Sequence, residues 1–520
     1  MSKTVKIILI GLGVAVLGAA AYFLIAGGKD RLLKFIPNNA AFVVRVDVKG
    51  MYDLGKQNNL FELKMMQDGM KESKKEGGMG KIIAAVLEKP EECGIDFRKP
   101  AYLFGEMMSR GKATAMLMEL SSESKFADFI NKKRDSDTKM EKTSEFNHIE
   151  LDAGEYLSWG NGILVYSVNK TESTGYPAGI MKRSRPGMEG NLNMKEMLNT
   201  NGMVTFMFRP GETLKWSEDN VDLPIKDFWN PEMMSKAMTY IGKLDFVKGG
   251  ITMMAKAYSA DGKKGETPEL LKKSNNALKL ARYAKKETVP ALLMTCNFNM
   301  NGLMKYISDN LEGDSKSEFE NNELIKMLNN TLNGEFMLCL PTMESGDSAS
   351  RNNPALQLVA GTNKNNSEFE SKLRELNIEK TNGTYNLNMG LASIPLSVND
   401  DHIILGESGN SKIKTGGLDE NYLNSPMFIM VDFEKLLNSI PSSANEGKAL
   451  RKSGMTVMFG YTNESVNSDI KFKDKEKNGL ASLLELIDKT IKEEEERKAR
   501  LEKELENLRF TEDQPANEEF

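Results

Sequence analysis

An uncharged segment near the start of the chain constrains the fold more than any other feature. Residues 7–28 run for 22 positions without a charged side chain. A helix of that length, at about 1.5 Å of rise per residue, spans the roughly 30 Å hydrocarbon core of a bilayer. The rest of the 520 residues are polar enough to remain in water. The segment therefore predicts a single membrane helix that holds one large water-exposed portion on one side of a membrane.

Three interpretations of this segment are open: an uncleaved signal anchor, a cleaved signal peptide, and a membrane helix of the opposite orientation. Ala19, Ala20 and Ala21 are typical of a cleavage site, but the apolar segment continues through residues 22–26. Basic residues flank both ends of the segment, so the positive-inside rule does not choose an orientation. We favour a signal anchor over residues 1–28, which places the bulk of a single-pass inner-membrane protein in the periplasm.

Net charge and histidine content exclude several classes of function. A formal net charge of −5 gives no electrostatic basis for binding nucleic acid. The two histidines, His148 and His402, lie at a strand start and at a hairpin turn, which are ordinary structural positions rather than those of a catalytic base. The three cysteines have neither disulfide nor metal-ligand spacing. The sequence therefore predicts no catalytic, cofactor-binding or metal-ligating residue, and no cofactor.

Two motifs resemble ligand-binding loops and fail on their spacing. Residues 297–302 copy the opening of a calcium loop, but the acid that closes such a loop is replaced by Ser308. Residues 77–81 resemble part of a phosphate loop, but Ile82 replaces the Ser or Thr that such a loop needs. We interpret the first motif as a strand that passes through Gly302 into a helix, and the second as a flexible loop.

The same pattern of strands, glycines and helices occurs twice along the chain. In each copy an apolar strand passes through a glycine into a helix, and further strands follow in the same order. This order predicts a tandem duplication whose copies superpose, with residues 45–47 and 297–299 on equivalent strands. The matched segments are 40–54 with 292–306, 113–130 with 355–373, 163–167 with 403–405, 203–208 with 427–432, and 250–255 with 454–459.

Alternation along the first matched strands predicts which of their side chains are buried, since successive residues of a strand point to opposite faces. The apolar members are expected to face the core: Val44, Val46, Cys296 and Phe298. The polar members are expected to face solvent or a strand edge: Arg45, Asp47, Asn297 and Asn299.

These observations predict an α+β fold, with an N-terminal transmembrane helix, two duplicated α+β modules with largely antiparallel sheets, and a charged C-terminal helix. The residue pattern of the stretch 64–92 predicts an amphipathic helix. Acid–base pairs four residues apart near the C-terminus indicate a solvated helix that supports at most a weak homodimer, followed by a disordered acidic tail. The predicted segments are the anchor at 1–28, a first repeat at 29–285, a second repeat at 286–490, and the charged helix and tail at 491–520.

The stretch from Ile36 to Lys49 contains, in order, a proline, small polar residues, an apolar strand, an aspartate and a lysine. On this stretch, residues 31–490 resemble an uncharacterised family of Bacteroidetes cell-envelope proteins known only as a domain of unknown function. The resemblance implies an address in the envelope of a Gram-negative bacterium and implies no activity. Because no cysteine for lipidation follows the apolar segment, we expect anchoring in the inner membrane rather than attachment to the outer membrane.

The predicted function is that of a membrane-anchored envelope protein without enzymatic activity, which binds or scaffolds an envelope protein, a glycan or a lipid. Two alternatives stay open. A lipid or peptide carrier would line an apolar groove with methionine-rich helices, since 33 of the 520 residues are methionine. A hydrolase would use carboxylates that the sequence does not single out.

Overall fold

The computed structural model of the protein describes residues 31–512 with internal gaps. The longer gaps are 218–237, 273–279, 281–289, 341–356, 407–421 and 440–447, and the others are of five residues or fewer. The predicted anchor at 1–28, the predicted boundary between residues 285 and 286, and the end of the tail after residue 512 lie outside the described residues. Within the described residues, no helix is both long enough and apolar enough to cross a membrane.

The chain forms two compact units, one made of residues 1–247 and 253–265 and the other of residues 248–252 and 266–520. The strands of the first unit are β1 (Phe42–Val46), β2 (Ala101–Met108), β3 (Gly111–Glu119), β4 (Met140–Lys142), β5 (Asn147–Asp152), β6 (Glu155–Gly160), β7 (Ile163–Asn169), β8 (Val204–Phe208), β9 (Thr239–Val247) and most of β10 (Gly250–Tyr258). Its helices are α1 (Val48–Gln57), α2 (Lys64–Glu76), α3 (Gly78–Glu88), α4 (Glu123–Lys133), α5 (Gly175–Met181), α6 (Leu192–Asn199) and α7 (Pro210–Ser217), and short 3-10 helices cover Arg31–Phe35, Leu60–Glu62, Pro90–Glu92 and Met188–Gly190.

The strands of the first unit form one sheet in the order β10-β9-β8-β1-β2-β3-β7-β6-β5-β4. Every pair from β9 to β4 is antiparallel. The hairpin between β6 and β7 turns through Asn161 and Gly162, with φ of 53° and 71°. Positive φ at both central residues is the geometry that Asn-Gly favours, because it matches the twist of the two strands.

Both faces of β3 and β7, in the middle of this sheet, are covered. Leu117 and Ile163 point into a core beneath Arg31–Phe35, α5 and α6. Their neighbours Met118 and Leu164 point into a second core beneath α3 and α4. The two cores therefore lie on opposite sides of the same strands.

The predicted burial of β1 and β11 was wrong at several positions. Val43 is fully buried whereas Val44 is only half-buried, and Arg45 lies on the same face as Val43 and opposite the buried Tyr102. In the second unit Asn297 is buried, contrary to the prediction. Where core covers both faces of a strand, the alternation of apolar and polar residues no longer tells which face is inside.

The second unit is also α+β. Its strands are β11 (Leu292–Asn297), β12 (Leu332–Leu340), β13 (Gln357–Thr362), β14 (Lys380–Thr381), β15 (Thr384–Met389), β16 (Ala392–Val398), β17 (His402–Leu405), β18 (Met427–Asp432), β19 (Thr456–Tyr461) and β20 (Val466–Lys471). Its helices are α8 (Met300–Asp309), α9 (Gly313–Asn321), α10 (Glu323–Thr331), α11 (Ser367–Glu375), α12 (Phe433–Ser439), α13 (Lys448–Ser453) and α14 (Gly479–Glu512). The strands pair antiparallel in the order β20-β19-β18-β11-β12-β13-β17-β16-β15-β14.

Three helical predictions can be compared with the structure. The amphipathic stretch 64–92 is helical, divided into α2, α3 and a 3-10 turn. The interpretation of residues 77–81 as a flexible loop was wrong, because Gly78–Lys81 form the first turn of α3. The charged C-terminal helix begins at Gly479, twelve residues before the predicted start, and exposes Ile491 and Leu501.

An aspartate ends β1 and begins α1. Oδ1 of Asp47 accepts a hydrogen bond of 3.0 Å from the N–H of Gly50, which satisfies one of the donors that a helix start leaves free. A Cβ on Gly50 would lie 2.5 Å from Oδ2 of Asp47, so a larger residue at position 50 would require the Asp47 carboxylate to shift. The sequence Asp-Val-Lys-Gly therefore fixes the passage from strand to helix.

Loss of the Asp47 cap should lower the free energy of unfolding by about 1 kcal/mol, because the N–H of Gly50 loses its acceptor. Urea unfolding of Asp47→Ala followed by circular dichroism measures this change. Asp47→Ser keeps an oxygen at the cap and should retain most of the stability. Asp53→Ala, which removes from the same helix an acid that pairs with Lys49 and caps no backbone N–H, is the control. Equal losses in Asp47→Ser and Asp47→Ala would contradict the capping role.

Candidate functional site: an apolar cavity in the first unit

The core beneath α3 and α4 contains a cavity of about 40 Å³. A single water-sized group needs roughly 10–15 Å³, so the cavity has room for several such groups. None of its lining side chains is polar: Val48, Ile82, Ile83, Val86, Leu87, Ile95, Phe97, Ala101, Met116, Met118, Phe126, Leu157 and Leu164. Water would find no hydrogen-bond partner among these side chains, so the cavity suits an apolar group.

Two amphipathic helices form the roof of the cavity. Ile82, Ala85 and Val86 of α3 are buried, with the spacing of one helix face. In α4 the same spacing recurs at Phe126, Phe129 and Ile130, after a cap in which Ser122 accepts a hydrogen bond from the N–H of Lys125. The side chains of β3, β6 and β7 form the floor.

An aromatic pair supports one wall of the cavity. The rings of Phe126 and the fully buried Trp159 meet edge to face, with their centroids 5.4 Å apart. This arrangement is favourable because the positive ring edge faces the negative ring face. Cys93 packs in the same core, and its Sγ donates a hydrogen bond of 3.0 Å to the carbonyl oxygen of Pro90.

The histidines considered in the sequence lie away from this cavity. Nδ1 of His148 is 2.8 Å from Oγ of Ser158, but Ser158 is fully buried and no substrate can reach its hydroxyl. Nδ1 of His402 lies 2.6 Å from Asp401, and its Nε2 lies 3.1 Å from the amide nitrogen of Asn399. Each imidazole thus has a structural partner, and neither faces an open cleft as a general base requires.

The cysteines and the calcium-like motif also have structural roles. Burial raises the pKa of Cys93, Cys296 and Cys339 to about 11, so these thiols stay protonated and unreactive. In the calcium-like motif, Oδ1 of Asn299 accepts a hydrogen bond of 3.5 Å from the N–H of Gly302 at the start of α8. Within the described residues, no group of three or more His, Cys, Asp or Glu side chains is placed to hold a metal ion.

Sequence reasoning missed the cavity. The spacing of Ile82, Ala85 and Val86 identifies the buried face of α3, but the opposing residues come from positions as distant as Val48 and Leu164. A void depends on how these distant side chains pack together, and no local pattern records it. The amphipathic helix was the only available signal.

Comparisons with known proteins place the chain in a family. The sequence model described as Domain of unknown function (DUF4836) matches residues 33–389, which is more than half of the chain. The chain belongs to this family. The description of the family assigns it no activity.

Other comparisons add little. No curated protein matches the sequence. Solved structures of TP0453 in crystal forms IV and III cover 43% and 44% of this chain and 79% and 80% of their own, at 12% and 11% identity, with TM-scores of 0.27 and 0.28. Similarity at this level supports no argument about fold or function.

Stability should depend on pH through His148. Burial lowers the pKa of this imidazole below its usual value of 6.5. The unfolded chain takes up a proton near pH 6.5 and the folded chain only at lower pH, so this contribution to stability is present above pH 6.5 and decreases as the pH falls. Urea midpoints at pH 7.5 and pH 5.0 should differ less for His148→Gln than for the natural protein. Carboxylates common to both proteins cancel in this comparison, and an identical pH dependence would contradict the role of His148.

Proposed function

We propose that this protein is a non-enzymatic binding protein of the cell envelope whose first unit takes an apolar chain into the cavity beneath α3. The single observation that carries the proposal is that every lining side chain is a hydrocarbon or a thioether. Such a lining offers no acid, base or nucleophile, but it favours the transfer of methylene groups from water at about 0.8 kcal/mol each. The size of the cavity suits the end of an acyl chain rather than a whole lipid.

The methionines of β3 support this role. Met116 and Met118 both line the cavity. Unbranched methionine side chains adapt to ligands of different shape, because three rotatable bonds let the thioether move. A carrier of this kind tolerates acyl chains of several lengths, and we expect low selectivity among them.

Filling the cavity should weaken binding of an apolar chain without destabilising the protein. The variant is Ala101→Val, which adds two carbons at the wall of the cavity. Loss of about 1 kcal/mol of burial would raise the Kd of dodecanoic acid, whose methyl end is free, about fivefold, as measured by isothermal titration calorimetry. The free energy of unfolding should stay equal or rise, because filling a void is commonly stabilising.

Ala115→Val is the matched control for this experiment. Ala115 is equally buried, but its side chain points into the opposite core. The extra carbons there should cost about 1–3 kcal/mol of stability through overpacking and leave the Kd unchanged. If both variants bind the probe as the natural protein does, the cavity is not the binding site.

We also propose that the two units descend from one duplicated module. The strands of the two units follow the same spatial order. When ten is added to each strand number of the first sheet, which runs from β10 to β4, the result is the strand order of the second sheet, which runs from β20 to β14. Ala41 and Ala291 make equivalent hydrogen bonds, and the N–H of each donates to a carbonyl oxygen of the next strand, β2 or β12. The carbonyl oxygen of Ala41 accepts from the N–H of Arg209, which follows β8, and that of Ala291 accepts from the N–H of Asp432, which ends β18. By these bonds, equivalent residues of β1 and β11 are 250 positions apart in the sequence. The helices that follow, α1 and α8, begin 252 positions apart, so the connection before α8 is two residues longer than the connection before α1.

One of the matched pairs supporting the duplication was wrong. Residues 250–255 belong to β10, which pairs with β9, whereas residues 454–459 lie largely in β19, which pairs with β18. By strand order, β9 is the counterpart of β19. Both pairs of strands are hairpins of similar composition, which explains the shift by one strand.

We propose that residues 7–28 anchor the protein in the inner membrane with the bulk of the chain in the periplasm. The support for this is the uncharged length of the segment. Alkaline phosphatase, which is active only outside the cytoplasm, should be active when fused to the C-terminus, and a cytoplasm-dependent reporter at the same position should be inactive. The reverse pattern would contradict the orientation, and a mature protein that begins near residue 22 would indicate cleavage.

A further inference from the structure

A second cavity, of about 350 Å³, lies at the end of α6 in the first unit. Ile241 and Tyr258 line it and belong to the core opposite the apolar cavity, so the two cavities lie on opposite faces of the sheet. Its volume is within the range of small-molecule sites, and its lining is largely polar. The proposed function does not use it.

Hydrogen bonds hold the rim of this cavity in place. The N–H of Thr200 donates to the carbonyl oxygen of Glu196 over 3.1 Å, and the hydroxyl of Thr200 donates to the same oxygen over 2.9 Å. The N–H of Met203 donates to Oδ1 of Asp245 over 2.9 Å, and Oδ2 of Asp245 is 2.8 Å from Nζ of Lys243. The segment after α6 is therefore tied to β9, and the charge of Lys243 is already neutralised.

Two further charges face the cavity without such neutralisation. Glu196 on α6 and Lys256 on β10 are both half-buried and both line the cavity. Among the residues that the structure describes, neither side chain has an ion-pair partner within 4.0 Å, and they do not pair with each other. Because both charges face the same cavity, a ligand that carries both signs of charge would pair with the carboxylate and the ammonium together.

The remaining lining fits a ligand with an apolar part. Met254 and Ile241 supply apolar surface, and Tyr258 supplies a buried phenol. Burial first and the carboxylate of Glu196 second raise the pKa of Tyr258, so the phenol stays neutral and is available as a hydrogen-bond donor.

We propose that this cavity binds a small zwitterion of amino acid or dipeptide size, with its ammonium group on Glu196 and its carboxylate on Lys256. The apolar side chain of the ligand lies against Ile241 and Met254. The site is independent of the apolar cavity, because the two share no lining residue.

Calorimetric titration of the full chain with the dipeptide Ala-Leu and two blocked forms tests the proposal. N-acetyl-Ala-Leu lacks the ammonium group, and Ala-Leu amide lacks the carboxylate. Each blocked form should bind about tenfold more weakly than Ala-Leu, since each loses one charge-assisted contact. No heat with millimolar Ala-Leu, or equal affinity for all three compounds, would overturn the proposal.

Charge-removing variants assign each end of the ligand. Lys256→Gln should lose the preference for Ala-Leu over Ala-Leu amide, because the group that binds the ligand carboxylate is gone. Glu196→Gln should lose the preference for Ala-Leu over N-acetyl-Ala-Leu, because the group that binds the ligand ammonium is gone. Lys195→Gln, at an exposed position of the same helix α6, is the control and should keep both preferences. Retention of both preferences in the first two variants would place the ligand elsewhere. Because the apolar probe binds on the other face, failure here leaves the proposed function intact.

Discussion

The structure of the first unit depends on the burial of both faces of one antiparallel sheet. β1 lies at the middle of this arrangement, paired with β2 on one side and β8 on the other. Helices with apolar residues at the spacing of one face cover the strands from each side, and each large side chain so buried contributes roughly 1.5–3 kcal/mol. Both cavities are consequences of this covering, since each lies where a helix meets the sheet without filling the space between them.

Local features of the fold follow from the sequence, and pairings between distant segments do not. Asp47 with Gly50 at the start of α1, and Asn161-Gly162 in the β6–β7 turn, have geometries that their residue types dictate. The α+β class with antiparallel sheets was therefore predictable. The faces of β1 were not, because Val43 and Val46 point to opposite faces and both are buried. The register of β1 against β11, in which Ala41 matches Ala291, was not predictable either, because hydrogen bonds to neighbouring strands define it and residue types do not.

The proposed binding function rests on the interior of the first unit. The one buried pair of a histidine and a serine, His148 with Ser158 among the described residues, is closed to substrate, and the buried thiols are protonated. In the first unit, an apolar cavity lies on one face of the sheet and a polar cavity on the other. In the second unit, α10 precedes β12 as α3 precedes β2, but it carries Lys326 and Asn329 where α3 is mostly aliphatic. The two units therefore present different side chains on these two helices.

The most direct test of the apolar site is methyl NMR during titration with a saturated fatty acid. The protein carries labelled isoleucine and leucine methyl groups, and dodecanoic acid is added. Occupancy of the cavity predicts large chemical-shift changes at Ile82 and Leu157, which line it, and much smaller changes at Ile180 in the opposite core. Changes of equal size in both cores, or no change at Ile82 and Leu157, would contradict binding in the cavity.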